Sequence, residues 1–136
     1  MKLFLDANVL FTAAHNPSGK AAFVLELAQE GLWEVVTSGY AIEEARRNLE
    51  AKLPDAVGAL DGVLKGIGVV ASILDDACPI ALPEKDEPIF LSAVAAGCTH
   101  LLTGDLKDFG PFMNAPERTS GVIIQTVAEF LSSASG

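Results

Sequence analysis

The sequence predicts one α/β domain, a parallel sheet with helices on both faces. Two observations lead there. Short apolar runs alternate with amphipathic stretches along the chain, which is the pattern of repeated strand–helix units. The 136 residues are 50% hydrophobic and 20% charged, a globular balance with enough length for a real core. No internal repeat, low-complexity tract or long linker divides the chain, so residues 1–136 are read as a single domain. Repeated strand–helix units in one sheet imply right-handed crossovers.

Taken in order, the first strand is KLFL, residues 2–5, followed by a loop containing HNPSG. Ser18 is placed to cap a helix over residues 19–30, and Gly31 closes it. WEVVTS is a short strand. SGYAIEEARRNLEAKL is helical, with Ile42, Ala45 and Leu49 on one face and Glu43, Arg46, Arg47 and Glu50 mainly outside. Pro54 restarts the chain into a helix over residues 55–65, and GVVAS, from Gly68, is the third strand. A Pro- and Asp-rich connection runs from Asp75 to Lys85. Asp86 then stands at a helix N-cap, with Glu87 and Pro88 in the first turn. IFLSAVAAG is apolar almost all round and is expected to be buried. HLL is the fourth strand, ending at TGD. GVII is the fifth, and QTVAEFLSSAS is a terminal helix.

Composition excludes several classes. No apolar run is long enough to span a membrane, and MKLFLDANVL lacks the sustained apolar core of a secretory signal. Cys78 and Cys98 form no C-x-x-C motif, and with only His15 and His100 available no zinc-like spacing exists. Both thiols are read as buried and cytosolic, both histidines as structural, and the expected compartment is the cytoplasm. A net charge of −9 argues against a nonspecific nucleic-acid binder with a broad basic face. It is compatible with an ordinary acidic protein or with acids concentrated in a cation site.

Within LFLDANVLF an aspartate interrupts an otherwise mostly apolar stretch, and an unpaired charge there is costly. Asp6 ends the first strand and Asp105 the fourth. In an open parallel sheet the ligand crevice lies just past the C-terminal strand ends. Asp86 begins the helix leading into the fourth strand, and Glu44 lies on the first turns of the helix after the second, both near that same edge. Asp108, three residues after Asp105, comes within reach through one helical turn. Each acid also has a plainer reading: a helix cap for Asp86, a solvated helix face for Glu44, a turn for Asp105. Convergence of Asp6, Glu44, Asp86 and Asp105 would instead demand protonation or a cation. All-oxygen ligands favour Mg²⁺ or Mn²⁺ over zinc, which points to phosphoester chemistry.

LFLDANVL, IEEARRNL and DEPIFLSAVAAGCTHLLTGDLKDF resemble the successive signatures of PIN-domain ribonucleases, among them the toxins of VapC-type toxin–antitoxin pairs. The resemblance runs from residue 2 to about residue 127, and its last block is the most specific. It implies an α/β/α sandwich with strand order 3-2-1-4-5. It also implies a Mg²⁺- or Mn²⁺-dependent endoribonuclease that leaves a 5′-phosphate, a homodimer, and a cognate antitoxin as partner. Carried over by position, Asp6, Asp86 and Asp105 match the family's acids, and Glu44 matches its glutamate. Asp108 falls where many members have a further aspartate. Thr103 matches the hydroxyl residue bonded within the acidic cluster, and Asn8 the polar residue after the first acid. Ala7 departs from the small hydroxyl residue common there.

The expected metal ligands are therefore Asp6, Asp86, Asp105 and Asp108, with Glu44 orienting water and Asn8 and Thr103 in support. The chain has 18 acids against nine Lys and Arg residues, so RNA capture requires a local basic patch. Arg46, Arg47, Lys85 and Lys107 flank the acids in sequence and are the candidates, although helix-face pairing accounts for them equally well. An alternative is a PIN-fold binding module that acts through a protein partner with little turnover. A dehalogenase-type phosphatase is disfavoured because Asn8 stands where a second acid is needed. A receiver-type phospho-acceptor is disfavoured because Gln125, not lysine, follows the last strand.

Overall fold

A computed structural model describes residues 1–135. Five parallel strands lie in the order β3-β2-β1-β4-β5. They are β1 (Lys2–Leu5), β2 (Glu34–Ser38), β3 (Gly68–Val70), β4 (His100–Leu102) and β5 (Ile123–Gln125). The described residues also form seven α-helices: α1 (Ala7–His15), α2 (Lys20–Gln29), α3 (Gly39–Lys52), α4 (Val57–Leu64), α5 (Glu87–Ala95), α6 (Leu106–Phe109) and α7 (Val127–Ser135). This is the expected α/β/α sandwich and strand order. None of these helices is long and apolar enough to cross a membrane.

The central strand is buried on both faces, with Leu3, Phe4 and Leu5 all fully inaccessible. Phe4 stands opposite Val36 on one side and Leu101 on the other. Helices α1, α3 and α4 pack against one another, while α2 packs against α7. Phe130 anchors α7 edge-on to Trp33, with ring centroids 4.9 Å apart, and to His100 at 5.1 Å. His100 therefore has the structural role expected of it. Cys98 is buried, Cys78 half-buried, and both are free thiols.

The largest departure from the sequence reading is α1, where a loop was expected. Asp6 both ends the strand and starts the helix: its N–H donates to the Leu102 carbonyl at 3.0 Å, and its carboxylate caps Ala7 N–H at 2.7 Å. The remaining differences lie at element ends. Gly19, not Ser18, occupies the N-cap of α2, without a side-chain bond. Gly31 closes that helix as expected, in the left-handed region at φ +87°. A 3₁₀ turn over Pro54–Ala56 precedes α4, β3 stops at Val70, and Gln125 belongs to β5 rather than to the last helix. Helix α5 is buried along Pro88–Ala93, as its apolar sequence demands.

The aromatic anchor gives a stability prediction. Phe130→Ala should destabilise the fold by about 3–5 kcal/mol, read from the denaturant midpoint. Phe23, 46% exposed on α2, should cost less than about 1 kcal/mol on the same change. Equal losses would show that Phe130 does not hold α7 to the sheet.

Candidate metal centre

Register places the acids. Leu5 pairs with Leu102, so the residues following β1 and β4 emerge side by side at one sheet edge. Asp6 is 2% exposed, and both of its carboxylate oxygens accept hydrogen bonds. Its Oδ1 accepts from Ala7 N–H at 2.7 Å, and its Oδ2 accepts from the Thr103 hydroxyl at 2.7 Å and from Asn8 Nδ2 at 3.2 Å. Thr103 Oγ1 in turn accepts from Asp105 N–H at 3.1 Å and from Asn8 Nδ2 at 3.3 Å. Asn8 Oδ1 takes the Gly104 N–H at 2.7 Å, so one asparagine clasps both strand ends. Burial raises the Asp6 carboxyl from 3.8 to about 6. Bonds from Thr103 and Ala7 work against that rise, and the charge of Glu44 adds to it.

The other acids gather beside this pair of strand ends. Asp105 caps α6, its Oδ1 accepting from Asp108 N–H at 3.0 Å, so the helical turn brings both carboxylates to the same side. Asp86 sits at the N-cap position of α5 but makes no capping bond. Its carboxylate turns into the cleft instead, and the plain capping reading does not account for it. One carboxylate oxygen from each of Asp86, Asp105 and Asp108 lies within 4.8 Å of the others. Burial raises Asp86 to about 6; the Lys85 hydrogen bond pulls it down and the contact with Asp108 pushes it up. Asp108 is held below the usual carboxylate range, chiefly by that contact with Asp86.

A lysine ammonium stands among these three acids. Lys85 Nζ is 3.1 Å from Asp86 Oδ2, 3.2 Å from Asp108 Oδ2 and 3.9 Å from Asp105 Oδ2. Burial works against the ammonium, but its hydrogen bonds to Asp86 and Asp108 outweigh that and hold its pKa above the ordinary lysine value. The donor set, all carboxylate oxygen, suits a hard divalent cation. The ammonium already in place shows that the cluster draws a positive charge.

The structure thus brings Asp86, Asp105 and Asp108 together and places Asp6 one hydroxyl away, through Thr103. Glu44 is half-buried on α3, close enough for its charge to oppose ionisation of Asp6, but outside the group of three. Of the basic candidates, Lys85 is drawn into the acids and Arg46 pairs with Asp61 on α4 at 3.1 Å, while Arg47 and Lys107 are exposed. Two residues escaped the sequence reading. Tyr40 donates its hydroxyl to the Lys85 carbonyl at 2.6 Å; its position one helical turn before Glu44 was the available signal. Lys20 borders a groove of about 520 Å³ that runs on from Asn8, Thr103 and Gly104 past Thr12 and Thr126, and nothing in its sequence context marks it.

Comparison with known proteins bears on the fold and the family. The chain finds no match among curated proteins. Solved structures share the fold. VapBC2 from Rickettsia felis, determined bound to a DNA fragment from its promoter, superposes with a TM-score of 0.66 at 16% identity, over 93% of this chain and 98% of that one. PAE2754 from Pyrobaculum aerophilum gives 0.65 at 21% identity, over 99% and 96%. VapC20 from Mycobacterium tuberculosis, a sarcin-ricin loop cleaving toxin, gives 0.54 at 12% identity, over 77% and 91%. The family model described as PIN domain matches residues 2–107, a span that includes Asp6, Glu44, Asp86 and Asp105. With that match across most of its length, the chain belongs to the PIN-domain family.

Proposed function

We propose that this chain is a metal-dependent endoribonuclease and the toxin of a toxin–antitoxin pair. The observation that carries the reading is the meeting of Asp86, Asp105 and Asp108 within 4.8 Å at the sheet edge where Asp6 also ends. Asp6, Asp86 and Asp105 would hold Mg²⁺ or Mn²⁺, with Asp108 beside them. Such a cation, when bound, supplies activation of water and neutralisation of charge on the scissile phosphate. The chain's own residues do the rest. Asn8 and Thr103 fix the rotamer of Asp6, so its carboxylate needs no reorganisation. Glu44 faces the same edge and orients the attacking water. The groove past Thr103, with Lys20 on its rim, takes the RNA strand leaving the acids, and Arg47 and Lys107 add positive charge outside them.

The relatives support the biological setting. One solved neighbour is a toxin that cleaves the sarcin-ricin loop, which favours RNA as substrate. VapBC2 from Rickettsia felis and FitAcB from Neisseria gonorrhoeae favour an antitoxin partner; a homodimer and a cytoplasmic setting rest on the family resemblance of the sequence. A weakly active binding module is the less favoured reading, because the acid set is complete.

Cleavage of a labelled RNA panel in Mn²⁺ tests the activity. Losing an outer partner of a metal ligand typically costs about 10–100-fold, so Asp6→Asn and Asp105→Asn should each lose at least ~100-fold. Cleavage that survives Asp6→Asn would sink this reading. Thr103→Val keeps the shape but removes the hydroxyl, and should lose about 10–100-fold.

The raised carboxyls give a pH prediction. Asp6 and Asp86 both titrate near 6 in the fold, against 3.8 ordinarily. Their protonated forms favour the folded state, so the metal-free protein has this contribution fully below pH 4 and loses it as pH rises through 6. For buried Asp6 the loss is roughly 3 kcal/mol. A divalent cation favours the ionised forms, so thermal stabilisation by Mn²⁺ should be small at pH 5 and large at pH 7.5. Stabilisation independent of pH over that range would place the metal elsewhere.

A further inference from the structure

We infer that Lys85 is a built-in counter-cation: its ammonium holds the acidic cluster together without metal and must leave for a divalent cation to enter. The inference rests on the metal-site reading above and adds a competitor to it. Three carboxylates within 4.8 Å of one another repel strongly, and Lys85 Nζ touches two of them at 3.1 and 3.2 Å and approaches the third at 3.9 Å. That is the position a shared cation would take. An ammonium and a dication set among the same carboxylates repel each other, so the binding of one disfavours the other.

The surroundings allow the exchange. Lys85 is held by its backbone, where the Tyr40 hydroxyl bonds its carbonyl at 2.6 Å, while its side chain is 62% exposed. Beside it opens a hollow of about 560 Å³, lined by Tyr40, Leu74, Glu84 and Pro88. The side chain can therefore swing outward from a fixed root; the carboxylates it leaves are largely buried, so it goes when a divalent cation takes its place. Once displaced, the ammonium stands at the mouth of the cleft, one side chain's length from the cation and free to meet a phosphate. Metal entry and phosphate capture are thereby coupled through one residue.

The test is isothermal titration of the metal-free protein with Mn²⁺, together with thermal melts in chelator. A site occupied by its own lysine for most of the time binds a competitor with an affinity reduced by the vacant fraction. Lys85→Met should therefore bind Mn²⁺ about tenfold more tightly than the wild type. It should also melt at a lower temperature in chelator and gain more from added Mn²⁺. Lys85→Arg, which keeps a cation in reach, should resemble the wild type in both. A lysine that only contacts RNA would leave Mn²⁺ affinity unmoved, so equal affinities in Lys85→Met and wild type overturn the inference. Asp105→Asn separates the two readings. If it loses Mn²⁺ binding while Lys85→Met is unchanged, the metal site stands and the lysine's role falls. If it binds Mn²⁺ as the wild type does, both fall.

Discussion

Like-charge repulsion at one edge of the sheet is the constraint that shapes this molecule. Two carboxylates about 5 Å apart repel by roughly 3 kcal/mol at an effective dielectric near 20, and here three lie that close beside a buried fourth. The fold offsets this in distinct ways. Asp6 is given hydrogen-bond donors from Ala7, Asn8 and Thr103 and a raised affinity for a proton. Asp105 spends one oxygen capping α6. Asp86 and Asp108 share Lys85. Each device disperses charge without removing any of the acids. A fold selected for stability alone gains nothing from such an arrangement, because apolar residues would pack there at less cost.

The sheet is what makes the concentration possible. β1 is the central strand and buries every side chain of Leu3, Phe4 and Leu5, so its end cannot shift relative to β4 without disturbing the core. The pairing of Leu5 with Leu102 then fixes Asp6 and Thr103 opposite each other, and the 2.7 Å bond between them follows from register. Thr103 is itself fully buried, so its hydroxyl must be satisfied, and it is: one donation and two acceptances. The site's geometry is therefore inherited from the rigid part of the molecule rather than from a loop.

Most of the fold was legible in the sequence because strands and amphipathic helices announce themselves by period. Helix α1 was not. Its buried residues Ala7, Val9, Leu10, Ala13 and Ala14 do fall at helical spacing, but the helix is short and follows β1 at once, so LFLDANVLF read as one apolar stretch. The aspartate that looked like an oddity in a strand is the cap that starts this helix. The acids were legible as types and positions, because strand ends and helix starts share an edge in any parallel α/β sheet. Which of them would touch was not. Asp108 reaches the cluster only through the turn of α6, and Glu44 stays outside the group of three although it lies near the same edge. Nor does adjacency in sequence reveal that Lys85 points at Asp86: neighbouring side chains on an irregular segment have no fixed relation. Tyr40 fixes that segment from another helix, 45 residues away in sequence.

The charge balance adds a further step. A chain of net charge −9 repels a polyanion at a distance, but at physiological salt that repulsion is screened beyond about 8 Å. Under the proposed function, capture of a strand would then be decided by cations near the cleft itself. Arg46 is engaged with Asp61, Lys85 meets the acids and Lys20 borders the groove, while Arg47 and Lys107 are exposed. Lys85 cannot neutralise Asp86 and Asp108 and contact a phosphate at once. On the proposed exchange, its release by a divalent cation would turn this ammonium from a counter-charge for the acids into a charge facing outward. The dication then offsets the charge of the three carboxylates, which Lys85 alone offsets only in part. The acids would then meet an incoming phosphodiester with less repulsion when the cation is bound, so the proposed exchange favours ordered binding, cation first and strand second.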